Sequence, residues 1–390
     1  MSETNIWDSI LQSVSRQESH RESTVIFLGD PESGKHSLYH TLADQFGNKS
    51  DFSYQGGRVV DYTSISVPSQ DDRRLDEEEF SLLHVWFLND PRYGSLLNSA
   101  SKIEMLEHTA FVICVDYSKP WAIMDSLNKW TKVVEDIIKE KMESVTMDKQ
   151  HALKQSMLDY INSNQNYSKE IENLVVDPTR KSNTLPAEML TKNLGVPMFI
   201  CMTKTDCMAE MKRTLNADIR FNFIQKHIRS LAIQYASFVF YVSAHSGVNI
   251  LEFKDSLLHR LYPAIWKYTC NYQLVDADRI VIPSGWDSSY LIGQLVNSEV
   301  VPENSSYNSY IPVPMNVDTS MGEKEDYPVE NEQAFLKQFA DNQKNATGSS
   351  TARSPMGVSP VGANTPKSPT NAADFFKTLQ SRNASRNASS

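Results

Sequence analysis

Residues 24–37 read TVIFLGDPESGKHS, and this stretch decides the fold. Residues 24–28 are an apolar run with the length of a buried strand. The pattern Gly-x4-Gly-Lys follows from Gly29 to Lys35, where a helical pattern begins. In such a loop, backbone N–H groups and a helix N-terminus hold phosphate, and the lysine reaches the outer phosphates. Because the motif stands between a strand and a helix, it predicts a P-loop domain.

Further apolar runs of strand length alternate with helical stretches. The apolar runs are 59–67, 82–88, 111–115, 198–202 and 238–242, and the helical stretches are 121–142, 217–236 and 250–261. Such alternation is typical of βαβ units, so we predict an α/β fold with a doubly wound, mostly parallel sheet and helices on both faces. Residues 143–195 interrupt the alternation with a charged helix and a polar loop, and we interpret them as an insertion.

Composition and charge exclude several classes of function. The 390 residues are 40% hydrophobic and 22% charged, which allows a sizeable core, and the net charge is -10. An acidic chain without a basic cluster is not expected to bind nucleic acid or an anionic membrane. From the N-terminal residues and the apolar runs, we expect neither a secretory leader nor a membrane-spanning stretch. The cysteines lack metal-binding spacing, so we expect reduced thiols in the cytoplasm and no metal site: Cys114, Cys201, Cys207 and Cys270.

The P-loop departs from a catalytic loop at several positions. His36 takes the place of the hydroxyl that would ligate Mg²⁺, and Ser37 lies one residue too late to replace it. Asp30 and Glu32 also bring negative charge to a loop that would hold anions. The loop residues that we interpret as candidates for nucleotide binding are Gly29, Ser33, Gly34, Lys35, His36 and Ser37.

Two later motifs point to guanine as the base. Thr203-Lys204-Thr205-Asp206 follows the fifth predicted strand and matches the [NT]-K-x-D guanine motif of Ras-like proteins. Ser243-Ala244 follows the next strand and matches their SA motif, whose backbone N–H contacts the base. A solvated loop is the alternative for 203–206, but the order of the motifs behind the P-loop favours a Ras-like fold. The candidates here are Thr203, Lys204, Asp206, Ser243 and Ala244.

The segment after the third predicted strand lacks a residue to orient the attacking water. Ras-like proteins have Asp-x-x-Gly-Gln there, whereas this chain reads NDPRYG at 89–94. With Asn89 in the Asp position, the last two positions hold Arg92 and Tyr93. With Asp90 there, they hold Tyr93 and Gly94. Neither register supplies a glutamine, so we predict that the domain does not hydrolyse GTP.

Apolar residues recur at helical spacing near both ends of the chain. Within 1–22, we predict a short amphipathic helix that docks on the domain, with its apolar face formed by Ile6, Trp7, Ile10, Leu11 and Val14. The Ras-like domain is expected to span 23–293. Residues 294–390 are polar, and we predict a disordered tail with short helices near 328–342 and 371–381.

The two tail helices are candidates for partner binding. A helix of about 12 residues is marginal alone in water, so its apolar stripe favours folding in a groove of a partner. Docking back on the Ras-like domain and a membrane-surface helix are the alternatives, and the acidic sequence disfavours the membrane. The residues expected to contact the partner are Phe335, Leu336 and Phe339 in the first helix and Phe375, Phe376 and Leu379 in the second.

Several stretches in succession resemble dynein light intermediate chains. They are NIWDSIL (5–11), LGDPESGKHSL (28–38), VDYSKPWAIMDSLNKW (115–130), NLGVPMFICMTKTD (193–206), FNFIQKHIRSLAIQYA (221–236) and IPSGWDSSYLIG (282–293). The resemblance implies a non-catalytic subunit of the cytoplasmic dynein motor, located on microtubules with the other dynein subunits. Its Ras-like domain would bind the tail of the heavy chain, and its C-terminal helices would bind coiled-coil cargo adaptors.

A small-GTPase-like switch that binds and hydrolyses GTP is the alternative function. The resemblance implies that a guanine nucleotide can be bound, as in some dynein light intermediate chains. A protein that serves only as a scaffold requires no cofactor. Where a nucleotide is bound here, we expect GDP without hydrolysis. GTP depends more on Mg²⁺ between its outer phosphates, so the loss of the hydroxyl at His36 penalises GTP more than GDP.

Overall fold

The structure, a computed structural model, describes residues 22–47, 58–68, 80–100, 106–163, 188–263, 266–295 and 306–314. The predicted N-terminal helix and the two predicted tail helices lie outside these ranges. The assignments of 328–342 and 371–381, with their six partner-binding residues, therefore stay predictions.

One sheet organises the described part of the chain. Its strands are β1 (Glu22–Leu28), β2 (Val60–Pro68), β3 (Phe80–Leu88), β4 (Thr109–Asp116), β5 (Met198–Thr203), β6 (Phe238–Tyr241) and β7 (Val281–Ile282). They lie in the order β2-β3-β1-β4-β5-β6-β7. The five central strands pair in parallel, and β2 and β7 join the two edges in antiparallel register. The predicted α/β fold with a mostly parallel sheet is confirmed.

Helices cover both faces of this sheet. They are α1 (Lys35–Asp44), α2 (Gly94–Ala100), α3 (Ile123–Glu143), α4 (Met147–Ser163), α5 (Met208–Met211), α6 (Ala217–Tyr235), α7 (Ile250–Leu261), α8 (Ser289–Gly293) and α9 (Tyr307–Tyr310). Alternate strand residues point to opposite faces. Val25 and Phe27 therefore join the cluster that contains α1 and α7, whereas Ile26 and Leu28 join the cluster that contains α3 and α6.

The predicted insertion begins with a helix that belongs to the core. Leu153, Met157 and Ile161 of α4 are buried. Gln150 of the same helix donates hydrogen bonds to the carbonyls of Met142 and Val145, at 2.7 and 2.9 Å, across the turn from α3. The first part of the insertion is thus fixed to the domain by apolar contacts and by this turn.

The domain extends beyond its predicted end at residue 293. Tyr307 and Ile311 are buried, and the Tyr307 hydroxyl donates to the carbonyl of Pro120 at 2.6 Å. The ring of Tyr310 lies 4.6 Å from that of Phe223 on α6. The polar sequence around residues 306–314 predicts that they belong to the disordered tail, but these apolar side chains provide buried surface that holds the segment on α6.

A buried ion pair fixes α6 to the loop after β7. The Nε and Nη2 atoms of Arg229 each donate to one carboxylate oxygen of Asp287, both at 2.6 Å. The side chains are only 2% and 9% exposed. Asp287 also accepts a hydrogen bond from the backbone N–H of Ser288, next to the start of α8. Removing one partner would leave the other charge buried and uncompensated.

We therefore expect Asp287→Ala to lower the free energy of unfolding by roughly 3–5 kcal/mol, because the Arg229 guanidinium loses its only carboxylate among the described residues. Urea denaturation of the purified chain measures this loss. Asp278→Ala is the control, because its bond to Lys212 is exposed and worth about 0–1 kcal/mol. Equal losses for the two variants would contradict a structural role for the buried pair.

Candidate functional site

Three loops that carry the sequence motifs leave the same edge of the sheet. The P-loop follows β1, the guanine motif begins at the last residue of β5, and the SA motif follows β6. Because the three strands are parallel, their carboxyl ends meet at one edge, where open α/β sheets bind ligands.

Close packing explains both glycines of the P-loop. A Cβ on Gly29 would lie 2.5 Å from the carbonyl oxygen of Cys114 and 2.5 Å from the hydroxyl of Ser33. Gly34 has φ +83°, and a Cβ there would lie 3.3 Å from the side chain of Thr203. The loop therefore needs glycine at both positions to sit against β4 and β5.

The ammonium group of Lys35 binds the P-loop itself. Its Nζ donates to the carbonyls of Gly29 and Asp30, at 3.0 and 2.8 Å, and the side chain is buried. Burial lowers the pKa of Lys35 to about 8, although the nearby carboxylates of Asp30 and Asp61 act in the opposite direction. Lys35, the residue predicted to contact phosphate, thus binds the backbone of the P-loop and keeps the loop closed.

His36 lies where the sequence places the missing Mg²⁺ ligand. Its ring stacks on Phe87 with centroids 4.5 Å apart, and its Nε2 lies 3.6 Å from a carboxylate oxygen of the buried Asp61. Burial, followed by the charge of Lys35, lowers the pKa of His36 to about 4. The imidazole is therefore neutral at pH 7, and its contact with Asp61 is not an ion pair at that pH.

The two candidates for the lost Asp-x-x-Gly-Gln motif have local structural roles. The Asn89 amide donates to the carbonyl of Arg58 at 2.8 Å, and its backbone N–H donates to Val59 at 2.9 Å. Asp90 caps the turn that follows, where it accepts hydrogen bonds from the backbone N–H of Arg92 at 3.0 Å and from its guanidinium at 2.8 Å. Asn89 is thus hydrogen-bonded to the backbone just before β2, and Asp90 stabilises the turn after β3.

The negative charge of Asp30 is compensated by α3. Its carboxylate accepts hydrogen bonds from Ser126 at 2.7 Å, from the Trp130 indole at 3.1 Å and from Lys129. Burial raises the pKa of Asp30, but the bonds from Lys129, Ser126 and Trp130 outweigh it and lower the pKa below its usual value. From the sequence alone, Asp30 is expected to disfavour anion binding, and its partners on α3 are not evident there. Positions 126, 129 and 130 share one helical face, which is the signal that could have indicated them.

The guanine motif is joined to the P-loop by a hydroxyl. Thr203 Oγ1 lies 2.5 Å from the Ser33 carbonyl and 3.0 Å from the Val115 carbonyl, so it links β5 with the P-loop and β4. Lys204 Nζ donates to Asp116 at 2.8 Å. The structure therefore brings the predicted residues of both motifs together.

The predicted base-contacting residues are also adjacent. The Ser243 hydroxyl donates to Asp206 at 2.6 Å, and Ser243 is buried whereas Asp206 is exposed. Ala244 is half-buried beside them. Ser37 is an exception, because its side chain is exposed on α1 and its carbonyl accepts a hydrogen bond from Thr41 within that helix.

Comparison with known proteins decides the family. A sequence profile described as "Dynein light intermediate chain (DLIC)" matches residues 2–386. The chain belongs to the dynein light intermediate chain family. This membership confirms the resemblance found in the sequence.

Individual family members agree with this assignment. "Cytoplasmic dynein 1 light intermediate chain 1" of Homo sapiens is 28% identical over 350 residues, which cover 85% of this chain and 63% of that relative. The protein of the same name from Dictyostelium discoideum is 23% identical, over 73% of this chain and 63% of the relative. The chain thus spans 63% of the length of these light intermediate chains.

A solved structure supports the fold. The "Crystal Structure of the Dynein Light Intermediate Chain's Conserved Domain" matches with a TM-score of 0.51 and 19% identity, over 74% of this chain and 88% of that chain. Within the described ranges, no helix combines the length and apolar character needed to cross a membrane. The same ranges hold no group of three His, Cys, Asp or Glu side chains placed to bind a metal ion.

The buried position of His36 predicts a pH dependence of stability. Its folded pKa of about 4 lies below the model-peptide value of 6.5, so neutral His36 contributes stability that is present above pH 6.5. This contribution is lost as the pH falls towards 4, because the unfolded chain binds the proton first. Between pH 6.5 and pH 4, the free energy of unfolding of the parent chain should therefore fall. For His36→Gln, we expect this fall to be smaller by roughly 1–3 kcal/mol.

Urea denaturation at a series of pH values measures this difference. His245→Gln, at an exposed position, is the control. An identical pH dependence for the parent chain and His36→Gln would show that the imidazole is not desolvated in the folded domain.

Proposed function

We propose that this chain is a non-catalytic subunit of cytoplasmic dynein and a scaffold between the motor and its cargo adaptors. Family membership supports this proposal, as do the names of the relatives, which place those proteins in cytoplasmic dynein 1. The observation that carries the non-catalytic part is the neutral, half-buried imidazole of His36 at the Mg²⁺ position.

The chemistry of the site argues against the alternative, a GTP-hydrolysing switch. Mg²⁺ bridges the β- and γ-phosphates of GTP and needs an oxygen ligand from the P-loop. An imidazole stacked on Phe87 cannot supply that oxygen. Residues 89–94, directly after β3, contain no glutamine, and the side chains of Asn89 and Asp90 bind local backbone. The P-loop and residues 89–94 therefore supply neither the oxygen ligand for the metal nor the residue that orients the water.

A domain of this kind requires no nucleotide to keep its loops in place. Lys35 donates to a P-loop carbonyl, and Asp30 accepts a hydrogen bond from Ser126 on α3. The Thr203 hydroxyl donates to the Ser33 carbonyl. The pair of Asp206 and Ser243 still resembles a base site. GDP without hydrolysis is compatible with this arrangement, because GDP lacks the γ-phosphate that depends most on Mg²⁺.

The chain divides its contacts between the domain and the tail in this proposal. The Ras-like domain binds the tail of the dynein heavy chain, and the helices at 328–342 and 371–381 bind coiled-coil cargo adaptors. These contacts would place the chain in the cytoplasm on microtubules, where cargo moves towards their minus ends.

The apolar spacing of 328–342 supports adaptor binding. Phe335, Leu336 and Phe339 share one helical face, and burying each side chain is worth roughly 1.5–3 kcal/mol. Ordering the segment cancels part of this gain, so a single helix should bind with a dissociation constant on the order of micromolar. Two tails on one dimeric adaptor would bind more tightly through their raised effective concentration.

We expect Phe335→Ala with Phe339→Ala to abolish capture of a coiled-coil dynein adaptor, because the helix loses two of its three apolar anchors. Association with the heavy chain should be unchanged, since that contact is assigned to the domain. Parallel pull-downs of the full chain with an adaptor and with a heavy-chain tail fragment measure both contacts. Lys337→Ala with Asp341→Ala, on the opposite face of the same helix, is the matched control.

Adaptor capture at the level of the parent chain would refute the helix assignment. Loss of the heavy chain instead of the adaptor would refute the division between domain and tail.

A further inference from the structure

One face of the sheet carries an aromatic patch at the edge formed by β2 and β3. Tyr62 of β2 pairs with Trp86 of β3, and their ring centroids lie 4.6 Å apart. The Tyr62 hydroxyl lies 2.8 Å from Nδ1 of His84. We call the surface formed by Tyr62, Leu82, His84 and Trp86 the aromatic face.

The aromatic face is half open in the described part of the chain. Tyr62 is 46% exposed, the His84 side chain is 25% exposed, and Leu82 and Trp86 are half-buried. The opposite side of the same two strands is filled, because Ile65, Val85 and Phe87 are buried in the cluster that contains α1. A contiguous apolar patch of this kind marks a surface that another element covers.

The chain enters the sheet beside this face. Glu22, the first residue of β1, pairs with Leu82, and its carboxylate lies 3.6 Å from Nε2 of His84. The residues that precede Glu22 are therefore attached at the rim of the aromatic face. In the sequence of this segment, Trp7, Ile10 and Leu11 recur at helical spacing.

The length of residues 5–15 as a helix is close to the length of β3 along the aromatic face. Residues 5–15 as a helix would be about 16 Å long. The run of β3 from Leu82 to Leu88 is about 20 Å long. Residues 15–21 can span up to about 23 Å when extended, which is enough for the chain to turn back over the sheet. A helix of about 11 residues is marginal alone in water, so it needs an apolar surface.

We propose that residues 5–15 form a helix that packs lengthwise on the aromatic face and completes this side of the domain. Trp7, Ile10, Leu11 and Val14 face the sheet, and Tyr62 and Trp86 form the centre of the contact. The occupant is this chain's own N-terminal segment, because it is already attached at Glu22. This inference does not depend on the proposed function.

Disulfide trapping in the full chain tests the contact. Ser64 and Ser66 are exposed on the same side of β2 as Tyr62. In a Cys207→Ser background, Ile10→Cys combined with either Ser64→Cys or Ser66→Cys should form an intramolecular disulfide under mild oxidation, detected by peptide mapping. Ile10→Cys with Leu251→Cys is the control, because Leu251 is half exposed on α7 over the opposite face. This pair should not form the bond.

Release of the segment gives a second measurement. Tyr62→Lys and Leu11→Lys should each raise the rate of tryptic cleavage at Arg16 and Arg21 by about tenfold, because the docked helix loses its apolar contact. The Leu11→Lys substitution lies outside the sheet and the described residues. It therefore still tests the contact if Tyr62→Lys fails to fold. Val275→Lys, at a residue that is 90% exposed, is the control and should not change the rate.

Three results would overturn the proposal. The first is the absence of the disulfide together with unchanged cleavage in both lysine variants. The second is a disulfide that links two chains, which would assign the face to a second copy. The third is a disulfide that forms only after a heavy-chain tail fragment is added, because the segment would then need the partner.

Discussion

The hydroxyl of Thr203 is the contact on which the candidate site depends. It lies within hydrogen-bonding distance of the carbonyls of Ser33 and Val115, so one side chain of β5 holds the P-loop against β4. Gly34 allows this approach because a side chain there would press against Thr203. With the loop held in this way, Lys35 closes it from inside by binding two of its carbonyls.

This internal bonding explains how a P-loop domain can serve as a scaffold. In a nucleotide switch, loop positions change because the γ-phosphate and Mg²⁺ hold them only in one state. Here Asp30 is bound to α3, and His36 is stacked on Phe87. These contacts come from the chain itself and do not require a ligand. Loops held by the chain itself suit a protein that we propose to link a motor to its adaptors.

The sequence predicted the elements that rest on local patterns. The Gly-x4-Gly-Lys motif and the alternation of apolar runs indicate six of the seven strands in the described ranges, and β7 is not evident because it has only two residues. Contacts between distant positions could not be read from spacing. Lys129 lies 99 residues after Asp30, and Asp287 lies 58 residues after Arg229. The same limit applies to Tyr307, whose partner Pro120 is 187 residues away.

We propose that the domain does not hydrolyse GTP, and a multiple-turnover GTP assay on the purified full chain with Mg²⁺ tests this most directly. Lys35→Ala is the comparison, because Lys35 is the residue that would contact the outer phosphates. We expect both proteins to release phosphate no faster than buffer alone. Turnover above buffer by the parent chain that is lost in Lys35→Ala would contradict it.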